Sequence, residues 1–144
     1  MAILAGEIVS AGRLGLLQPT PYYAIGTGSV AASQTNADVP SAVVTPTTVG
    51  ANAVYVATCT WDFSRSGAST ALTVGRLSVD GVAQNPLSTY AAEVTSDRST
   101  ITQTYQGTLA SAGAHTLKLI VTTQANQTVQ GVNSSIQVTI YEVV

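Results

Sequence analysis

Residues 53–63 read Ala-Val-Tyr-Val-Ala-Thr-Cys-Thr-Trp-Asp-Phe and contain the only Trp, Cys and Phe of the chain. A strand turns successive side chains to opposite faces. One face of this stretch therefore carries Ala53, Tyr55, Ala57, Cys59, Trp61 and Phe63, bulky enough to floor a core. The other carries Val54, Val56, Thr58, Thr60 and Asp62, which is half apolar and poorly suited to open water. A central strand covered on both sides satisfies that pattern, and in a small chain the second cover can be another subunit.

The rest of the chain supplies neighbours for such a strand. Its 144 residues suit one domain, a length at which roughly 70% of the unfolded surface can be buried. Hydrophobic residues make up 45% and charged residues 8%, against about 25% charged in ordinary domains. Disorder needs the reverse balance. Polarity here comes from Thr, Ser, Asn and Gln, which fits a Thr-rich β-surface or one covered by partners. The net charge is −2, and the five basic residues, Arg13, Arg65, Arg76, Arg98 and Lys118, are scattered. No row of cations exists to neutralise phosphates, so nucleic acid is not an expected partner. No stretch reaches the ~20 apolar residues of a membrane span, so membrane insertion is not expected either. The start of the chain lacks a basic n-region and Glu7 interrupts its apolar run, so it reads as mature protein made in a cytoplasm.

Two regions emerge. Residues 1–20 form an arm whose aliphatic residues Ile3, Leu4, Ile8, Val9, Leu14, Leu16 and Leu17 need burial against something. Ser10–Leu17 is a candidate helical turn capped by Ser10, weakened by Gly12 and Gly15 and closed by Pro19 and Pro21. From residue 21 to 144 the chain reads as one strand after another. Strands are expected at Tyr22–Gly28, at Val39–Thr45 (held to an edge by Pro40 and Pro46), at Ala53–Phe63, at Thr70–Val79 and at Val82–Gln84. Others are expected at Leu87–Val94, Ser99–Leu109, His115–Thr123 and Ser134–Val144. Val79-Asp80-Gly81-Val82 is the clearest hairpin signal, because Asp-Gly accepts the positive φ angles of a type I′ turn. In Ser99–Leu109 the residues Thr100, Thr102, Thr104 and Gln106 form an outward row. Leu117, Leu119 and Val121 point inward in one late strand, and Ile136, Val138 and Ile140 in the last. Eight to nine short strands with regular turns and almost no helix indicate an all-β, antiparallel β-sandwich or jelly roll with a short N-terminal arm.

Chemistry-bearing groupings are sparse. Cys59 lies on the apolar face and reads as a small buried hydrophobe. His115 follows a glycine turn, where an exposed structural role is expected. Asp80 and Asp97 have turn roles. No clustered metal ligands, paired carboxylates or phosphate loop appear. The reading is therefore non-enzymatic, with no cofactor. Asn126-Gln-Thr and Asn133-Ser-Ser match the glycosylation acceptor pattern, which a Thr/Ser-rich chain also produces by chance. Of the tyrosines, Tyr22, Tyr23, Tyr90, Tyr105 and Tyr141 are candidates for sugar stacking, with core packing as the commoner role. Val54 and Val56 on the central strand, with Tyr141 and Val143 on the last, would form one apolar patch if the two strands are neighbours. Such a patch marks an interface, and rotational symmetry lets copies meet through it.

Ile-Leu-Ala-Gly-Glu-Ile-Val-Ser-Ala-Gly-Arg-Leu with the following Leu-Gln-Pro resembles the start of small virion proteins of tailed bacteriophages, particularly those of actinobacteria. Tyr-Val-Ala-Thr-Cys-Thr-Trp-Asp-Phe, Val-Gly-Arg-Leu-Ser-Val-Asp-Gly-Val and the ending Val-Thr-Ile-Tyr-Glu-Val-Val carry the same resemblance over nearly the whole chain. It implies a compact jelly roll like those of tumour-necrosis-factor-like trimers, a virion location and no enzymatic activity. The implied partners are two further copies and, through the arm, the major capsid protein or another virion protein. With no heptads or shaft repeats, a capsid decoration or head-fibre knob is favoured. The alternative is a tail-fibre or tail-tip module that binds host surface glycan.

Overall fold

The computed structural model describes residues 18–67, 70–91 and 96–142. The arm residues Ile3, Leu4, Ile8, Val9, Leu14, Leu16 and Leu17, and the interface residue Val143, lie outside them.

Twelve strands are present among the described residues: β1 (Thr20–Ile25), β2 (Ala37–Val44), β3 (Thr47–Thr48), β4 (Ala53–Arg65), β5 (Thr73–Val79), β6 (Val82–Ala83), β7 (Ser88–Tyr90), β8 (Arg98–Leu109), β9 (Gly113–Ala114), β10 (Leu117–Thr122), β11 (Gln127–Val129) and β12 (Ser135–Tyr141). One turn of 3₁₀ helix spans Gly131–Asn133. The fold is all-β and sandwich-like, and every strand pairing is antiparallel. The count exceeds the nine expected by β3, β9 and β11, which are only two or three residues long. Thr20, expected in the arm, is the first residue of β1.

The first sheet runs β1-β12-β4-β8, with β11 continuing along β4 past the end of β12. The second runs β2-β10-β5, with β6 and β7 both on the far side of β5. β3 and β9 form a separate small ladder. The β5–β6 hairpin turns at Asp80 and Gly81, with φ of 49° and 84°, the pair of positive angles that a type I′ turn requires.

The core fills the space between the sheets. The odd residues of β4, Ala53 to Phe63, are all buried, as period-two alternation requires. Tyr55, Cys59, Trp61, Phe63, Leu117, Leu119, Val121, Ile136, Val138 and Ile140 all lie in this one cluster. Trp61 meets Tyr105 edge-on at 6.4 Å between ring centroids. Phe63 stacks on Tyr90 at 5.5 Å. Gly75 of β5 lies directly beneath the indole: a Cβ there would fall 2.7 Å from two of its ring atoms. A buried polar clamp adds a cross-sheet tie. The Thr73 hydroxyl donates to Gln127 Oε1, and the Gln127 amide donates to the Ala71 carbonyl at 2.7 Å.

Candidate functional site

The outer face of the first sheet brings the interface candidates together. β12 lies against β4 with Tyr141 opposite Val54 and Thr139 opposite Val56. β1 adds Tyr23 opposite Gln137 and Ile25 opposite Ser135. All these side chains share the face turned away from the core. Val54 and Val56 are half-buried, whereas Tyr23, Ile25 and Tyr141 are 64%, 47% and 44% exposed. Aromatic and aliphatic groups thus occupy the β1-β12-β4 side of this face. The β8 side is polar, with Thr100, Thr102, Thr104, Gln106 and Thr108 all exposed. Thr102 and Thr60 are joined by a hydroxyl–hydroxyl hydrogen bond at 3.0 Å. The sequence offered Tyr23 only for sugar stacking and did not single out Ile25, although their place on β1, two residues apart, puts them on one side of that strand.

At the far end of β4 the same face is covered by the chain itself. Asp62 sits on the outward side, yet its side chain is only 2% exposed. Arg98 grips its carboxylate with two nitrogens. The Asn133 amide donates to it at 2.7 Å, and the Ser134 hydroxyl accepts the Asp62 backbone N–H at 3.1 Å. The Arg98 hydrogen bond holds the Asp62 carboxyl below the usual range against the upward push of burial, with Asn133 adding to the effect. Covering β4 on its second side therefore needs no other subunit at this end.

His115 corrects its sequence reading. It is 4% exposed, not a surface residue. Its Nδ1 lies 2.7 Å from Asp80 Oδ2 and its Nε2 3.0 Å from the Ser111 carbonyl oxygen. Both partners only accept, so the doubly protonated ring satisfies both. The Asp80 hydrogen bond raises the His115 pKa against the lowering effect of burial. Burial would raise the Asp80 carboxyl, but hydrogen bonds from His115 and the Thr116 N–H hold it low. Asp80 is thus more than a turn residue. It ties the β5–β6 turn to the start of β10. A ring with both nitrogens engaged this way is a poor general base.

Burial pushes the Cys59 thiol far up, away from the reactive thiolate. Burial also raises the Tyr105 hydroxyl, to about 12. Tyr90 and Tyr105 are buried and Tyr22 packs against the core, so Tyr23 and Tyr141 remain as the exposed pair of the sugar-stacking candidates. No group of three His, Cys, Asp or Glu comes together among the described residues. A shallow cleft of about 370 Å³ runs between β8 and the β5–β6 turn, lined by Tyr55, Val79, Asp80, Gln84, Gln106 and Thr108. Its one carboxylate is already engaged by His115. No protein-family model matches the sequence, and no curated protein matches it.

Proposed function

We propose that this chain is a non-enzymatic structural protein of a phage virion. It acts as a trimeric knob held to the particle by the arm of residues 1–20, as a capsid decoration or head-fibre protein. The observation that carries the reading is the outward stripe of Tyr141, Val54 and Val56, continued by Tyr23 and Ile25. A lone domain gains nothing from an aliphatic and aromatic stripe beside a solvated Thr row. Three copies around an axis would bury it. The sequence resemblance supplies the particle, and three arms per knob would multiply weak single contacts.

The test is sedimentation of the full chain with Val56→Lys. The parent is expected to sediment as a trimer and the variant as a monomer. A parent that stays monomeric at micromolar concentration overturns the reading.

A second reading has its own observation. Tyr23 and Tyr141 are both exposed on one sheet face, with Gln137 and Thr139 on the strand between Tyr23 and β4. Aromatic rings beside amide and hydroxyl groups suit a sugar, as a tail-fibre module binding host surface glycan would require. Copy number on imaged particles separates the two: hundreds of copies indicate shell and a handful indicate tail.

A further inference from the structure

A sheet edge is a row of unpaired backbone donors and acceptors, and proteins blunt such edges with Pro, charge, bulges or short strands. Three of the four edges of this sandwich carry such devices. β1 contains Pro21, and just beyond its end the Thr27 N–H donates to the Pro40 carbonyl of β2 at 3.0 Å. β2 contains Pro40 and the ion-paired Asp38, has Ser41 at φ 64°, and shifts register against β10. On the far side of β5 the edge is broken into β6 and β7, of two and three residues.

β8 carries none of these devices. Its 12 residues pair with β4 in unbroken register from Arg98 opposite Ser64 to Leu109 opposite Ala53. Among the described residues it pairs with no other strand. Its sequence, Arg-Ser-Thr-Ile-Thr-Gln-Thr-Tyr-Gln-Gly-Thr-Leu, has no Pro, Lys or acid. Its one charge, Arg98, is engaged by Asp62. The result is a bare edge about 40 Å long at strand rise.

We propose that β8 is a pairing edge for β8 of a second copy, joined antiparallel across a two-fold axis at Gln103. The occupant follows from the inventory of edges: among the described strands, only β8 offers a bare edge of matching length. With Gln103 on the axis, Thr102 faces the partner's Thr104 and Thr100 faces the partner's Gln106. Arg98 faces the partner's Thr108. On each side of the axis Thr102 and Thr104 thus stand opposite one another, a hydroxyl pair that favours cross-strand pairing, and no like charges meet. The first sheets of two copies become one continuous sheet. This contact is separate from the rotational one proposed for the Val54–Tyr141 stripe, and it would join one knob to the next.

The test uses the full chain. Gln103 is half-buried, its amide bonded only locally to the Thr104 carbonyl at 3.0 Å, so Gln103→Cys disturbs little. On mild oxidation it is expected to give a disulfide-linked dimer. Cys59 lies directly opposite residue 103 across the β4–β8 pair, so the variant is built on Cys59→Ala to exclude an internal disulfide. The double variants T102K/T104K and T102E/T104E place like charges opposite each other on both sides of the axis. Each alone is expected to lose the two-fold association step in sedimentation, and an equal mixture to regain it. Thr102 and Thr104 share the outer face with the apolar stripe. The Gln103 crosslink, on the other side of the strand, therefore separates this contact from the rotational one. Absence of the crosslink overturns the proposal. So does a mixture that fails to re-associate while both variants keep the near-ultraviolet dichroism of Trp61. If the charged variants unfold, the crosslink alone decides.

Discussion

Trp61 is the residue on which the packing turns, and the alternation pattern alone reveals its role. A lone Trp in strict alternation with Tyr55, Cys59 and Phe63 can only be aimed at the thickest part of a core. What the sequence could not show is the residue that makes room for it. Gly75 lies on another strand and reads locally as a weak spot in β5, but its missing side chain is the space that the indole occupies. The two positions are therefore coupled. Trp61→Ala should cost ~3–5 kcal/mol, as for other buried aromatics truncated to a cavity. Gly75→Ala in the parent should cost ~1–3 kcal/mol by overpacking. In the Trp61→Ala background the same glycine substitution should cost much less, because the new methyl enters vacated space. Urea unfolding of the four chains, followed by far-ultraviolet dichroism, measures the coupling. Additive costs would show that the indole does not rest on Gly75.

Among the elements, length decided what could be read. β4, β8, β10 and β12 are each six or more residues long, with alternation that only Ile120 of β10 and the buried Asp62 of β4 interrupt, and the sequence placed each within a few residues of its observed bounds. The β3–β9 ladder, β11 and the 3₁₀ turn hold two or three residues each, too few for any period to appear. Their positions follow from tertiary contacts. The partners of Asp62 and Asp80 were hidden for a related reason. Asp62 meets Arg98 and Asn133, and Asp80 meets His115, across 35 or more positions of sequence, so neither His115 nor Asp62 could be recognised as buried. The His115 link makes a pH prediction for the β5–β6 turn. Its folded pKa is raised above 6.5, so its stabilising effect is complete below that value and is lost as pH rises through the folded value. The lowered Asp80 carboxyl acts in the opposite sense. Its contribution is present above 3.8 and is lost as pH falls through the folded value. The pair therefore stabilises most in mildly acidic solution. Because the Asp80 side chain is 47% exposed, the effect should stay within ~0–1 kcal/mol. Urea midpoints at about pH 5 and about pH 9 should differ in the parent, and Asp80→Asn should remove most of that difference. An unchanged difference in Asp80→Asn would place its origin elsewhere.

For the molecule as a whole, the question is what buries the aliphatic side chains of residues 1–20. The described strands run from Thr20 to Tyr141, and the buried apolar residues from Val30 to Ile140. The core closes within those limits: Val30 pairs with Val129, and β1 is held along β12. Residues 1–17 lie outside the described residues and carry seven of the chain's larger aliphatic side chains. The attachment proposal requires that this aliphatic surface bind another protein and not the domain itself. That proposal makes two demands that can fail separately. Deleting residues 1–17 should leave unfolding stability within about 0.5 kcal/mol of the parent, the range of changes remote from packed features. The same deletion should abolish retention of the protein on purified particles. Denaturant unfolding reads the first and particle sedimentation with quantified copy number reads the second. A large loss of stability would show that the segment belongs to the domain's own packing. A shortened chain that still decorates particles would shift attachment to the folded domain, leaving the outward stripe of β1, β12 and β4 as the next surface to substitute.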